Sequence, residues 1–70
     1  MKIEEVTAAM EQQRTVRHTH MGITVPCRIN GCITRYSKEK GWHYALELAE
    51  LNSGCIIIAS LEETRLEETK

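Results

Sequence analysis

The segment from Val25 to Leu51 constrains the fold more than any other part of this sequence. Apolar and polar side chains alternate along both of its arms, first over residues 27–36 and then over residues 42–49. A period of two over runs this long is typical of half-buried antiparallel strands. The polar segment 37–41 (SKEKG) between the arms ends in a glycine, which suits the turn of a long β-hairpin.

The rest of the chain supplies a helix and the remaining strands. Ile3, Val6 and Met10 recur at helical spacing, and Glu4 and Glu5 suit the first turn, so residues 1–13 are predicted to form an amphipathic helix. Residues 14–21 alternate weakly and are rich in β-branched side chains, which predicts a strand that turns at Gly22. The apolar run 55–59 (CIIIA) predicts a strand covered on both sides or partly in an interface. A capped helical turn at 60–63 and a last strand at 64–67 complete the chain.

These elements predict one mainly β (α+β) domain over residues 1–70. After the helix, residues 14–67 are expected to form a small five-stranded antiparallel SH3-like barrel or a strongly bent sheet, and residues 68–70 to fray. Pro26 belongs at an edge or a bulge, and Gly31 marks a bend in the second strand. We expect a core made of Ile29, Ile33, Trp42 or Tyr44, Leu46, Leu48, Ile56, Ile58, Leu61 and Leu66.

Size and charge limit the partners. Seventy residues bury only a small core, and with the apolar CIIIA run this favours a homo-oligomer. A net charge of −1 argues against general binding to duplex DNA or to an anionic membrane surface. The charge is uneven, however, since six basic residues and one acid lie between Arg14 and Lys40. A local basic face on a near-neutral molecule is therefore expected.

The three cysteines indicate reduced thiols in a cytoplasm, because an odd number cannot pair within one chain. We expect Cys27 and Cys32 to lie on opposite faces of one strand, where they cannot form a disulfide. No secretory signal and no apolar run long enough to span a bilayer is present in the sequence, so we expect no membrane partner.

Several short motifs resemble those of a family of small proteins from phages and mobile elements of Gram-positive bacteria. They are the IEEV and AM helix at residues 3–10, Gly22-Ile23, an I-x-x-x-I-x-R-Y strand at 29–36, a W-x-Y-x-x-E-L strand at 42–48, Asn52-Ser53, Ile58-Ala59 and Glu62-Glu63. The resemblance covers most of the chain and implies a phage or mobile-element origin, with no catalytic activity attached to its motifs. His18, His20 and the extra cysteines depart from that pattern.

Chemical sites are weakly indicated. His18 and His20 share one face of a strand and, with Cys32, are the candidate ligands for a zinc ion. The four-residue gap between Cys27 and Cys32 is not a chelating spacing, so we read the cysteines as small buried hydrophobes and the histidines as surface residues. No nucleophile elbow, phosphate-binding glycine loop or paired-carboxylate motif is present. We therefore expect no enzyme activity, no metal and no cofactor.

The basic and aromatic hairpin is the best candidate for binding. Arginine forks match phosphates and aromatic rings stack on bases, which points to seven side chains: Arg28, Arg35, Tyr36, Lys38, Trp42, His43 and Tyr44. We expect Arg28, Asn30, Thr34 and Tyr36 to share a strand face close to His43. An alternative interpretation is a solvated strand face over a core that contains Trp42 and Tyr44.

The functional hypothesis is a phage or mobile-element protein that counters a host defence system. It would either sequester a small anionic signal such as a cyclic nucleotide or dock on a host defence protein and inhibit it. The alternatives are an SH3-like module that binds RNA or single-stranded DNA, and a structural adaptor without a ligand.

Overall fold

One helix and five strands make up the part of the chain that the structure, a computed structural model, describes, residues 1–67. The elements are α1 (Ile3–Glu11), β1 (Thr15–His20), β2 (Ile23–Ser37), β3 (Gly41–Glu50), β4 (Ile56–Ser60) and β5 (Thr64–Leu66). The predicted N-terminal helix and all five predicted strands are present, whereas residues 61–63 form a non-helical turn in place of the predicted helical turn at 60–63. The helix is two residues shorter at each end than expected, β4 is displaced by one residue, and the predicted tail at 68–70 lies outside the described residues. No helix within residues 1–67 has the length and apolar character needed to cross a membrane.

The strands form one antiparallel sheet in the order β4-β3-β2-β1-β5. Its two edge strands are consecutive in sequence and are joined by residues 61–63 alone, so the sheet must bend strongly to bring its edges near each other. At this corner the Thr64 hydroxyl donates a hydrogen bond to the Ser60 carbonyl at 3.0 Å. The Ser60 hydroxyl accepts from the Glu63 amide at 3.3 Å, which is the cap expected for this turn. The predicted bent sheet is confirmed, in an open form.

The second strand is long because it belongs to two hairpins. Its residues 23–28 pair with β1, and its residues 27–37 pair with β3. Pro26 lies one position before the β3 ladder starts, where a missing amide donor is tolerated. The β3 register shifts between Ile29 and Gly31, so Asn30 is the extra residue of a bulge at the bend predicted from Gly31.

Helix α1 covers one face of the sheet, which we call the inner face. The buried apolar residues are Val6 and Ala9 from the helix with Val16, Cys27, Leu46, Leu48 and Ala59 from the sheet. Ile29, Leu61 and Leu66 pack against this cluster, as predicted, and so do Met1, Ile3, Met10, Val25 and Ile57. Met1, which precedes the helix, is also fixed, because its amino group donates a hydrogen bond to the Leu61 carbonyl of the β4–β5 turn at 2.7 Å.

Five expected core residues are not in this cluster. Ile56 and Ile58 are 56% and 55% exposed, because Ala59 and Ile57 are the β4 residues that face inward, opposite Leu46 and Leu48. Ile33 pairs with Ala45 and lies on the opposite, outer face. Trp42 and Tyr44 lie on the inner face but beyond the reach of the helix, and both are exposed. The expectation that β4 is covered on both sides is wrong for the single chain.

Candidate binding surface on the hairpin arm

The far end of the β2–β3 hairpin projects from the body of the protein as two strands alone. Strand β4 pairs only with residues 45–49 of β3, so the ribbon formed by residues 32–44 has no further strand beside it. We call this ribbon the hairpin arm. Two strands alone are marginally stable, and the arm depends on the larger sheet from which it continues.

One side of the arm presents three aromatic rings to solvent. Tyr36 pairs with Trp42 across the ladder, and Thr34 pairs with Tyr44, which places all three rings on the inner-face side. Tyr36 is 63% exposed and Trp42 is 69% exposed. Their ring centroids are 5.2 Å apart with a tilt of 57°, a separation at which aromatic rings attract each other. We call Tyr36, Trp42 and Tyr44 the aromatic face.

The aromatic face borders a shallow depression of about 410 Å³. The hairpin and the β4–β5 corner both line it, with Lys40, Trp42, His43 and Tyr44 from the former and Ser60, Leu61 and Glu62 from the latter. Lys38 occupies the exposed turn at the tip of the arm. This surface offers flat apolar contact next to positive charge at the tip.

The seven predicted binding residues divide between two sides of the sheet. Arg35 pairs with His43, and both lie on the side away from the aromatic face. Arg28 lies on the outer face opposite Ala49. The expectation that Arg28 and Asn30 share a face with Thr34 and Tyr36, close to His43, is therefore wrong. The bulge at Asn30 adds one residue, and one residue reverses the side to which every later side chain of β2 points.

The same bulge places Cys27 and Cys32 on one face, against the prediction of opposite faces. Cys27 pairs with Glu50 and Cys32 with Leu46, and these two β3 residues lie on the same side. Cys27 is buried in the core whereas Cys32 lies exposed at the base of the arm, and both are free thiols, as is Cys55. Burial raises the pKa of the Cys27 thiol, and the neighbouring Glu50 carboxylate raises it further. Cys27 is therefore an unreactive core residue.

The histidine pair lies at the end of β1, away from Cys32. The rings of His18 and His20 stack with centroids 6.3 Å apart, and His20 Nδ1 is 2.8 Å from Glu63 Oε2. Hydrogen bonding to His20 is the main cause that lowers the pKa of the Glu63 carboxyl. His18 is buried, and its Nδ1 atom has no hydrogen-bond partner among the described residues.

The candidate zinc ligands His18, His20 and Cys32 are not brought together. Over residues 1–67, no three His, Cys, Asp or Glu side chains are arranged to hold a metal ion. The prediction that His18 is a surface residue is wrong, because its side chain is buried on the inner face of the sheet.

A buried carboxylate that the sequence analysis did not identify organises the β3–β4 turn. Glu50 accepts hydrogen bonds from the Asn52 amide at 3.0 Å, from the Ser53 amide at 2.7 Å and from the Ser53 hydroxyl. The Ser53 side chain contributes most to lowering the pKa of the Glu50 carboxyl, followed by the Asn52 amide. The signal in the sequence is an acid directly before a turn-forming Asn-Ser-Gly segment. Its role is structural.

Comparison with models of protein families, with curated proteins and with solved structures found no match for this chain.

Proposed function

We propose that this protein is a non-enzymatic binding protein that docks on a partner protein through the aromatic face of its hairpin arm. The observation that carries the proposal is the exposure of Trp42 against Tyr36 on two paired strands. Tryptophan and tyrosine dominate the energetics of protein interfaces, and they bind best when held in a fixed geometry. Here the strand ladder holds the rings in place, and nothing within residues 1–67 covers them.

The placement of the aromatic rings and the arginines on opposite sides of the hairpin favours docking on a protein over capture of a small nucleotide. A nucleotide site needs a ring to stack on the base and cations on the phosphates within one pocket. Arg28 and Arg35 lie on the side of the sheet opposite Trp42. The open depression beside the aromatic face has one lysine, Lys40, and also the acidic Glu62, which would repel phosphates. A flat aromatic surface with Lys38 and Lys40 at its tip instead suits a partner protein with an apolar pocket bordered by acidic groups.

The resemblance to phage proteins supplies the proposed setting. In that setting the partner is a host defence protein in the bacterial cytoplasm, and docking blocks its action. An arm that projects from a small body can reach into a cleft, which fits an inhibitor that acts by occupying a site.

Trp42 is the single tryptophan of the chain, so its fluorescence reports directly on the proposed site. The experiment titrates purified host defence proteins, and separately cyclic nucleotides, into the protein while Trp42 emission is recorded. We expect a defence protein to shift the emission of the wild type. Because Trp42→Ala removes the fluorophore, the affinities of the variants are measured by isothermal titration calorimetry, where Trp42→Ala should weaken binding roughly 30-fold, the loss typical of a hot-spot aromatic residue. Arg28→Ala on the outer face is the matched control and should bind normally.

Three results would count against docking through this face. One is full affinity in the Trp42→Ala variant, and another is an equal loss in the Arg28→Ala variant. The third is a Trp42 response to a cyclic nucleotide with none to any protein, which would favour sequestration of a small signal instead.

A second copy of the chain is the other proposed partner, and the unpaired edge of β4 supports it. Within residues 1–67, β4 pairs only with β3, so its outer edge offers free backbone donors and acceptors. This edge has no proline, no charge and no bulge, and it exposes Ile56 and Ile58. Such edges pair with other strands unless they are protected. The other edge, β5, is short and carries Arg65.

Sedimentation and native mass spectrometry test the assembly directly. We expect the wild type to form a dimer, and Ile58→Lys to be monomeric because a charge at a strand edge blocks pairing. Ile23→Lys is the control, since Ile23 is also exposed but lies at the β1–β2 turn. A monomeric wild type, or a dimer that survives Ile58→Lys, would exclude association through β4.

A further inference from the structure

We propose that the outer face of the sheet binds the phosphodiester backbone of a nucleic acid through four arginines, Arg14, Arg17, Arg28 and Arg65, which we call the arginine band. It is separate from the aromatic face, because it lies on the other side of the sheet and at its other end. The proposal therefore concerns a second partner and does not depend on docking through the hairpin arm.

The strand register brings Arg17, Arg28 and Arg65 together on the outer face. Arg17 on β1 lies directly opposite Arg65 on β5, and both point outward because their neighbours Val16 and Thr64 are buried. Arg28 on β2 pairs with Thr15, two residues from Arg17, which makes it a diagonal neighbour at about 7–8 Å. Arg14 directly precedes β1 and is not part of the ladder, but it lines the same depression as Arg28.

Two separate shallow depressions lie beside these side chains. Arg14 and Arg28 line a depression of about 350 Å³ next to the end of α1. Arg17, Thr24 and Arg65 line another of about 610 Å³. The arginine band thus crosses three strands, from the bulge in β2 to the edge of the sheet.

The arrangement of charge is not explained by the stability of the fold. Like charges directly opposite each other in a sheet are destabilising, yet Arg17 faces Arg65. Among the described residues, the one ion pair of the band joins Arg17 to Glu67. Arg28 and Arg65 are exposed, and neither forms an ion pair within residues 1–67. Glu67, which lines the same depression as Arg17 and Arg65, offsets part of the repulsion between them. The charges of Arg28 and Arg65 are left for an anionic partner.

The chemistry of the surface favours phosphates over an acidic peptide. All the cations are arginines, whose planar guanidinium groups bind phosphate oxygens in pairs. Thr15 lies opposite Arg28 and Pro26 opposite Arg17, and next to them the hydroxyls of Thr19 and Thr24 are 2.8 Å apart on the same face. Interfaces with nucleic acids are polar and positively charged, whereas interfaces with peptides need buried apolar anchors. None of the exposed large apolar side chains lies between the arginines.

The test measures binding of fluorescein-labelled single-stranded RNA, single-stranded DNA and duplex DNA by fluorescence anisotropy as the salt concentration varies. Arg17 is paired with Glu67, and the other three arginines form no ion pair within residues 1–67. We therefore expect log Kobs to fall with log salt at a slope of about −2 for a single strand. The variant Arg28→Gln/Arg65→Gln should reduce the slope to about −0.7. Its melting temperature should be unchanged or higher, because one of the facing charges is removed.

The matched control is Lys38→Gln/Lys40→Gln, which removes two charges from the hairpin arm and should leave the slope unchanged. Trp42→Ala should also bind nucleic acid normally, which separates this surface from the aromatic face. Any of four results would overturn the proposal: no binding at about 50 mM salt, a slope unchanged in the arginine variant, a slope reduced by the lysine variant instead, or equal competition by poly-glutamate. Comparison of the three nucleic acids identifies which backbone the band prefers.

Discussion

The β1–β2 turn contains a residue whose replacement should stabilise the fold. His20 pairs with Ile23, so Met21 and Gly22 alone make the turn, with φ angles of 52° and 80°. Two positive φ angles in a two-residue loop are the pattern of a type I′ turn, for which Asn-Gly is strongly preferred. An L-residue with a side chain pays about 1–2 kcal/mol for the left-handed conformation, and asparagine tolerates it better than methionine. Met21 is 87% exposed, so its side chain contributes little packing that Met21→Asn would remove.

We therefore expect Met21→Asn to raise the free energy of unfolding by about 1 kcal/mol, which corresponds to relief of at least half of the backbone strain at this position. For a domain of this size that corresponds to a rise in melting temperature of about 4–8 °C. The assay is thermal unfolding followed by far-UV circular dichroism. Met21→Ala is the control, since it removes the same exposed side chain but keeps a Cβ atom in the strained conformation. Equal melting temperatures for the asparagine and alanine variants would refute the reasoning.

Three further predictions test the core, the pH dependence and the arm. Leu46→Ala should lower the free energy of unfolding by about 2–5 kcal/mol, because the Leu46 side chain is fully buried. Ile33→Ala should lower it by under about 1 kcal/mol, because Ile33 lies on the outer face. Urea unfolding measures both, and equal losses would contradict the reversal of faces at the bulge. The pKa of the Glu50 carboxyl is lower in the folded protein than its unfolded value of about 4.3, so the ionised carboxylate stabilises the fold at pH values above about 4.3. This stabilisation is lost as the pH falls through the folded pKa. Glu50→Gln should therefore make the free energy of unfolding less dependent on pH in the acid range. A profile identical to wild type would exclude that role. Trp42 emission should change little on unfolding, and a large red shift would mean that the ring is buried.

The order and type of the elements could be predicted because each carries a local signal. The alternation on both arms of the hairpin, the helical spacing of Ile3, Val6 and Met10, and the glycines at the turns all act within a few residues. The inward positions of Leu46 and Leu48 follow from the same alternation, since β3 has no irregularity in its pattern. Local patterns of this kind determine most of the fold.

The binding surfaces could not be predicted in the same way, because the side to which a residue points depends on every residue before it in the strand. A glycine at position 31 indicates a bend, but not whether the bend adds a residue to the ladder. The bulge does add one, at Asn30, and so Tyr36 points to the side of Trp42 whereas Arg35 and Ile33 point away. A prediction that continues the alternation of sides through Asn30 without a break assigns Ile33, Arg35 and Tyr36 to the wrong face.

The exposure of the arm, by contrast, has a cause that can be found in the sequence. The apolar run at residues 55–59 predicts a short strand, and β4 has 5 residues whereas β3 has 10, so β4 cannot pair with β3 along its whole length. Part of β3 must then lie beside β2 alone, and the aromatic residues 36, 42 and 44 all belong to that part. The length of β4 thus exposes the aromatic face, and the bulge in β2 turns Tyr36 to the side of the sheet away from Arg28. Because the two surfaces share no residue and face opposite ways, a protein on one and a nucleic acid on the other would not compete for the same site.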